Sequence, residues 1–137
     1  MEMIMEFELI LEAKPVLRRY RITYLGKEIL LTARSFKMIA KLVTSRFAQP
    51  DTFIPSMELE PDGQGTKTLS RLRVELGTSP WEIQRSKHGM GGYRLTIPPD
   101  KLFVNWMNLE SVDDYELRQW AHRMYALGRM KSGALSH

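Results

Sequence analysis

Two stretches decide how this chain folds: Lys67-Thr68-Leu69-Ser70-Arg71-Leu72-Arg73-Val74-Glu75-Leu76-Gly77, and Arg85-Ser86-Lys87-His88-Gly89-Met90-Gly91-Gly92-Tyr93-Arg94-Leu95. In the first, Leu69, Leu72 and Leu76 recur at helical spacing and form one narrow apolar stripe, which predicts a helix with that stripe against a core. Gly65 or Thr66 can cap its start, and Gly77 stands where a helix end commonly needs a left-handed residue. Lys67, Ser70, Arg71 and Val74 then face away, with Arg73 on the flank. Such a face suits the major groove of double-stranded DNA. There arginine grips guanine O6 and N7 by two bonds, while small side chains admit close approach. A solvated surface helix would look the same, so the second stretch matters. Trp81 and Ile83 on one side and Tyr93, Leu95 and Ile97 on the other predict two strands joined by a glycine-rich turn. Arg85, Lys87 and His88 before the turn and Arg94 after it would make a slim basic finger for a minor groove or a phosphate backbone.

Charge points to the same segment. The chain has 137 residues and a formal net charge of +4. Basic and acidic side chains cancel in residues 1–31, 32–65 and 96–137, whereas residues 66–95 hold six basic against two acidic side chains, the whole excess of the protein. A surface facing a polyanion would be charged in this way. With 43% hydrophobic content the chain is long enough for one packed core. There are no cysteines, which removes disulfides, thiol catalysis and Cys-ligated zinc. The acidic, Met-rich start lacks the basic region of a signal peptide, and no apolar run reaches the ~20 residues of a membrane span, so a cytoplasmic protein with no membrane partner is expected.

Upstream, extended segments are expected from Phe7 to Leu11 and from Leu17 to Leu25, with Lys14 and Pro15 between them. A turn at Leu25-Gly26-Lys27-Glu28 leads into a third short strand at Ile29, Leu30 and Leu31, completing an antiparallel meander. Thr32 is a good N-cap for a helix over about 33–47, whose core positions include Phe36, Ile39, Leu42 and Val43. Pro55 opens a short second helix. Pro98 and Pro99 stop the last strand and are taken as the edge of a domain spanning residues 1–99. Residues 100–137 then form an extension with one amphipathic helix, about 111–130, capped by Ser111. Its apolar side carries Leu117, Trp120, Met124, Tyr125 and Leu127. That side either folds back on the N-terminal sheet or packs against a second copy as a homodimer.

Helix, helix, basic helix and basic hairpin in that order are the parts of a winged helix-turn-helix. The chain resembles the OmpR/PhoB-type winged-helix effector domain of bacterial response regulators over roughly Tyr24 to Leu95. Gly26, Leu31-Thr32, Arg71-Leu72-Arg73 and Gly92-Tyr93-Arg94 carry the resemblance. It implies an α+β fold with an N-terminal antiparallel meander, a three-helix core and a C-terminal hairpin wing, and a transcription regulator without cofactor. It also implies that Arg71 reads a base, that Thr66, Lys67 and Arg73 lie near phosphates, and that Lys87 lies near the wing tip. Ser35 stands where the family usually has an acid, and the wing is about two residues longer than usual. The segment between the second and third helices is short, which argues against the RNA polymerase contact this loop makes in the family. No receiver domain is expected ahead of the DNA-binding part.

Other chemistries fit less well. Gly63-Gln64-Gly65-Thr66-Lys67-Thr68 lacks the spacing of a phosphate-binding loop. His88, His122 and His137 are too far apart for a helical metal pair. Asp113, Asp114 and Glu116 suit a helix start better than acid/base work, so no enzyme is expected. The strands lack paired exposed aromatics for stacking RNA bases. The competing functional reading is a winged-helix module that binds protein without reading DNA.

Overall fold

Alternation of apolar and polar residues builds the first layer. In the computed structural model, which describes residues 7–60, 65–76, 83–86 and 92–131, β1 (Leu9–Val16), β2 (Arg19–Tyr24) and β3 (Lys27–Thr32) form an antiparallel meander. Leu9, Leu11, Ile22, Tyr24 and Leu31 are buried on its inner face. On the outer face Glu12 takes hydrogen bonds from Arg21 Nε at 2.7 Å and Thr23 Oγ1 at 3.1 Å, a cross-strand network bridging β1 and β2. The β2–β3 turn has positive φ at both Leu25 (52°) and Gly26 (81°), the pattern of a type I′ hairpin. Lys14 and Pro15, expected to separate two strands, lie inside β1 after a bulge at which Ala13 adopts φ 57°. Leu17, expected at the start of β2, occupies the turn instead.

Thr32 ends β3 and caps α1 (Ala33–Ala48), its side chain accepting from the Ser35 N–H. This helix is buried around most of its circumference, including Phe36, Met38, Ile39, Leu42 and Val43, because the sheet, three further helices and a hairpin all pack on it. Phe36 stacks on Tyr20 of β2 at 4.4 Å. The short α2 (Ser56–Leu59) follows, with Pro55 at its N-cap position, and then α3 (Gly65–Leu76). Leu69, Leu72 and Leu76 of α3 are buried, as their spacing predicts. The hairpin of β4 (Ile83–Arg85) and β5 (Tyr93–Leu95) gains a third element where Ile54 and Tyr93 exchange both backbone hydrogen bonds, at 2.8 and 2.9 Å. Gly92 makes this approach possible: its φ is 122°, and a Cβ there would stand 2.9 Å from the Ile54 carbonyl oxygen.

The fold is α+β, and its core does not end at Pro98-Pro99. A 3₁₀ turn at Pro99–Lys101 leads into β6 (Leu102–Val104), which pairs in parallel with β1 and gives the sheet the order β3-β2-β1-β6. After α4 (Trp106–Leu109) comes α5 (Tyr115–Lys131), which lies on α1. Residues past 99 therefore complete the core, with Leu102, Val104, Leu109, Val112, Leu117, Trp120 and Met124 buried. The last helix starts later than expected. Asp114, not Ser111, accepts from the Leu117 N–H, while the Ser111 hydroxyl donates to the Met107 carbonyl. Among the described residues no helix is long and apolar enough to cross a membrane.

Candidate nucleic-acid interface

With its leucine stripe held in the core, α3 turns Lys67, Ser70, Arg71, Arg73 and Val74 to solvent, and Val74 is 78% exposed. Among the described residues none of the three cations pairs with a carboxylate. Glu75, the one acid on this helix, is turned to α1 instead: it accepts from the Thr32 backbone N–H and hydroxyl, each at 3.4 Å. This brings a carboxylate to the N-terminus of a helix whose own first turn has no acid, and it ties α3 to the end of β3.

A recess of about 130 Å³ opens between α1 and α3, lined by Arg34, Lys67, Thr68 and Arg71. Arg34 is held at its rim by Glu60, whose carboxylate lies 2.6 Å from Nε and is buried apart from that edge. Sequence reasoning overlooked Arg34. A signal existed, because a cation in the first turn of a helix opposes the dipole, and residues that break a local rule are often retained for function. Three long cationic side chains line this small opening, and one of them, Arg34, is already paired with Glu60.

The other expected contacts divide. Arg85 is exposed at the end of β4. Arg94, expected at the DNA, stacks its guanidinium on the Phe53 ring at 4.4 Å and donates to the Gln84 side chain at 2.7 Å. Strand alternation explains this, since Tyr93 and Leu95 occupy the core side and leave Arg94 the opposite face, where Phe53 and Gln84 meet it. Burial, followed by the nearby Arg94 charge, lowers the pKa of Arg46, and Asp51 offsets this in part. Arg46 straps the end of α1 to the Pro50, Thr96 and Ile97 carbonyls. Thr66 lies in the first turn of α3, and Lys87 and His88 lie outside the described residues.

The apolar side of α5, expected on the N-terminal sheet or on a second copy, is taken up by α1. Leu117, Trp120 and Met124 are buried, Leu127 is half-buried, and only Tyr125 remains well exposed. The Trp120 indole N–H donates to Thr44 Oγ1 at 3.0 Å, with Lys41 Nζ 5.1 Å and the Arg123 guanidinium 4.9 Å from its ring. Lys41 is fully buried and donates to Glu116 at 2.8 Å and to the Glu58 carbonyl at 2.6 Å, while Lys37 reaches Glu116 at 2.6 Å. Burial alone would raise the Glu116 carboxyl, but the two lysines outweigh it and hold the group below the usual carboxylate range. Comparison with known proteins returned no match to a family model, a curated protein or a solved structure.

Proposed function

We infer that the chain is a sequence-specific double-stranded DNA-binding regulator of winged helix-turn-helix type, with α3 entering the major groove and the β4–β5 hairpin lying against the backbone or minor groove. The observation that carries this reading is the outward face of α3. Among the described residues Lys67, Arg71 and Arg73 meet no carboxylate there, Ser70 and Val74 allow close approach, and a buried leucine stripe holds the helix behind them. Arg34, paired with Glu60, lines a recess beside that face together with Lys67 and Arg71. Arg71 is the base-reading residue in this scheme, and Thr66, Lys67 and Arg73 lie near phosphates. Arg94 braces the hairpin against Phe53 and Gln84.

Mobility shift on mixed duplex fragments across a salt series tests the reading. With about four phosphate contacts, log affinity should fall against log salt with a slope of roughly −4, because each contact contributes about −0.9. A flat salt response, or binding that Lys67→Glu leaves unchanged, overturns it.

A further inference from the structure

The tip of the β1–β2 hairpin presents a large side chain that the fold does not use. Val16 pairs with Arg19, so the connection is the two-residue loop Leu17-Arg18. Leu17 adopts φ 60° and is 98% exposed. Positive φ at the first loop position alone is the pattern of a type II′ turn, which favours glycine because a Cβ crowds the backbone in this region. The following hairpin also has a leucine at positive φ, Leu25, 61% exposed and followed by Gly26; Leu17 differs in being almost wholly exposed and in bordering a recess. Leucine at 17 thus carries a backbone cost and recovers none of it by burial. An apolar residue placed against both backbone preference and solvent points to a contact outside the chain.

Its surroundings indicate what that contact is. A recess of about 460 Å³ lies beside the tip, lined by Val16, Leu17, Arg18, Arg19 and Leu30. Leu30 is 42% exposed. Among the described residues neither Arg18 nor Arg19 meets a carboxylate, whereas Arg21, farther along the same strand as Arg19, is neutralised by Glu12. The floor is therefore apolar and the rim positive. We propose that this hairpin tip docks an acidic amphipathic segment of a partner protein, its apolar side chains filling the recess against Leu17 and Leu30 and its carboxylates meeting Arg18 and Arg19. Two arginines beside a concavity fit such a segment better than anionic lipid, which is recognised by larger basic clusters on a broad surface. The site is separate from the α3 face and stands whether or not α3 reads DNA.

The test selects peptides from a random displayed library on the full-length protein. Synthetic versions of those enriched are then titrated by fluorescence anisotropy against wild type, Leu17→Gly and an Arg18→Glu/Arg19→Glu variant. The expected peptides interleave Asp or Glu with Leu, Phe or Trp, and both variants lose about tenfold or more in affinity. The melting temperature of Leu17→Gly should equal or exceed that of wild type. No enrichment, or enriched peptides that bind Leu17→Gly as tightly, overturns the proposal. A lowered melting temperature would show that Leu17 serves the fold and also overturns it. Leu17-dependent sedimentation with phosphatidylserine vesicles would assign the tip to lipid and refute the protein partner.

Discussion

Replacing Trp120 with phenylalanine separates an intramolecular role for α5 from an assembly role. The change removes the buried indole N–H bond to Thr44 Oγ1, worth about 1 kcal/mol net. It also weakens the attraction of the ring for Lys41 and Arg123, at 5.1 and 4.9 Å, by about 1 kcal/mol in total. The smaller ring leaves a void between α1 and α5, so the expected loss is about 2 to 3 kcal/mol. Thr44 limits the damage, because its hydroxyl still donates to the Ala40 carbonyl at 2.8 Å. For a chain of this length such a loss lowers the melting temperature by roughly 10 °C. Thermal unfolding followed by circular dichroism, together with sedimentation of both proteins, gives the readout. An unchanged melting temperature with a shift to a smaller sedimenting species would place the ring between two copies of the chain and refute the packing argument.

Three further outcomes follow from the same structure. Arg71→Ala should weaken the preferred DNA site by roughly 1 to 3 kcal/mol and blur one base pair, while Lys67→Ala should weaken all sequences evenly; quantitative mobility shifts on site variants distinguish the two patterns. A chain cut after Pro99 should lose cooperative unfolding in a urea titration, because β6 and α5 leave Leu9, Leu11 and Val43 exposed. Because the Glu116 carboxyl lies below its ordinary 4.5 in the folded chain, its contribution is present above that value and is lost as pH falls through the lower folded one. Glu116→Gln should accordingly flatten the acid limb of melting temperature against pH, and an unaltered acid limb would remove the lysine clamp as its cause.

Much of the helical layer was legible because its signals are local. Thr32, the leucine stripe of α3 and the Gly26 turn each act within a few residues of where they stand. What was not legible depends on distant partners. Leu102-Phe103-Val104 is too short and too close to two prolines to announce a strand, and it becomes one only because β1 offers an open edge. Pro15 reads as a break, yet β6 covers β1 only from Leu9 to Leu11, so farther along the strand a missing N–H interrupts no pairing on that side. In α1 the ordinary ranking of residues is inverted: Lys41 is fully buried and Phe47 is 42% exposed. A lysine amid Ile39, Ala40, Leu42 and Val43 hinted at a buried ion pair, but its acid stands far along the chain at Glu116. At the candidate interface the outward residues of α3 were read correctly from the wheel. The partners of Arg34 and Arg94 were not legible, since Glu60 and Phe53 stand far from them in sequence.

The parallel pairing of β1 with β6 also sets a timetable. During synthesis Leu9 leaves the ribosome early, and its neighbour Leu102 emerges only after the meander, the three central helices and the hairpin have been made. Until then one side of β1 is an unsatisfied strand edge in a chain that already holds much of its hydrophobic content. The edge of β1 is thus open to wrong pairing until β6 has emerged, and α5 can cover α1 only after that.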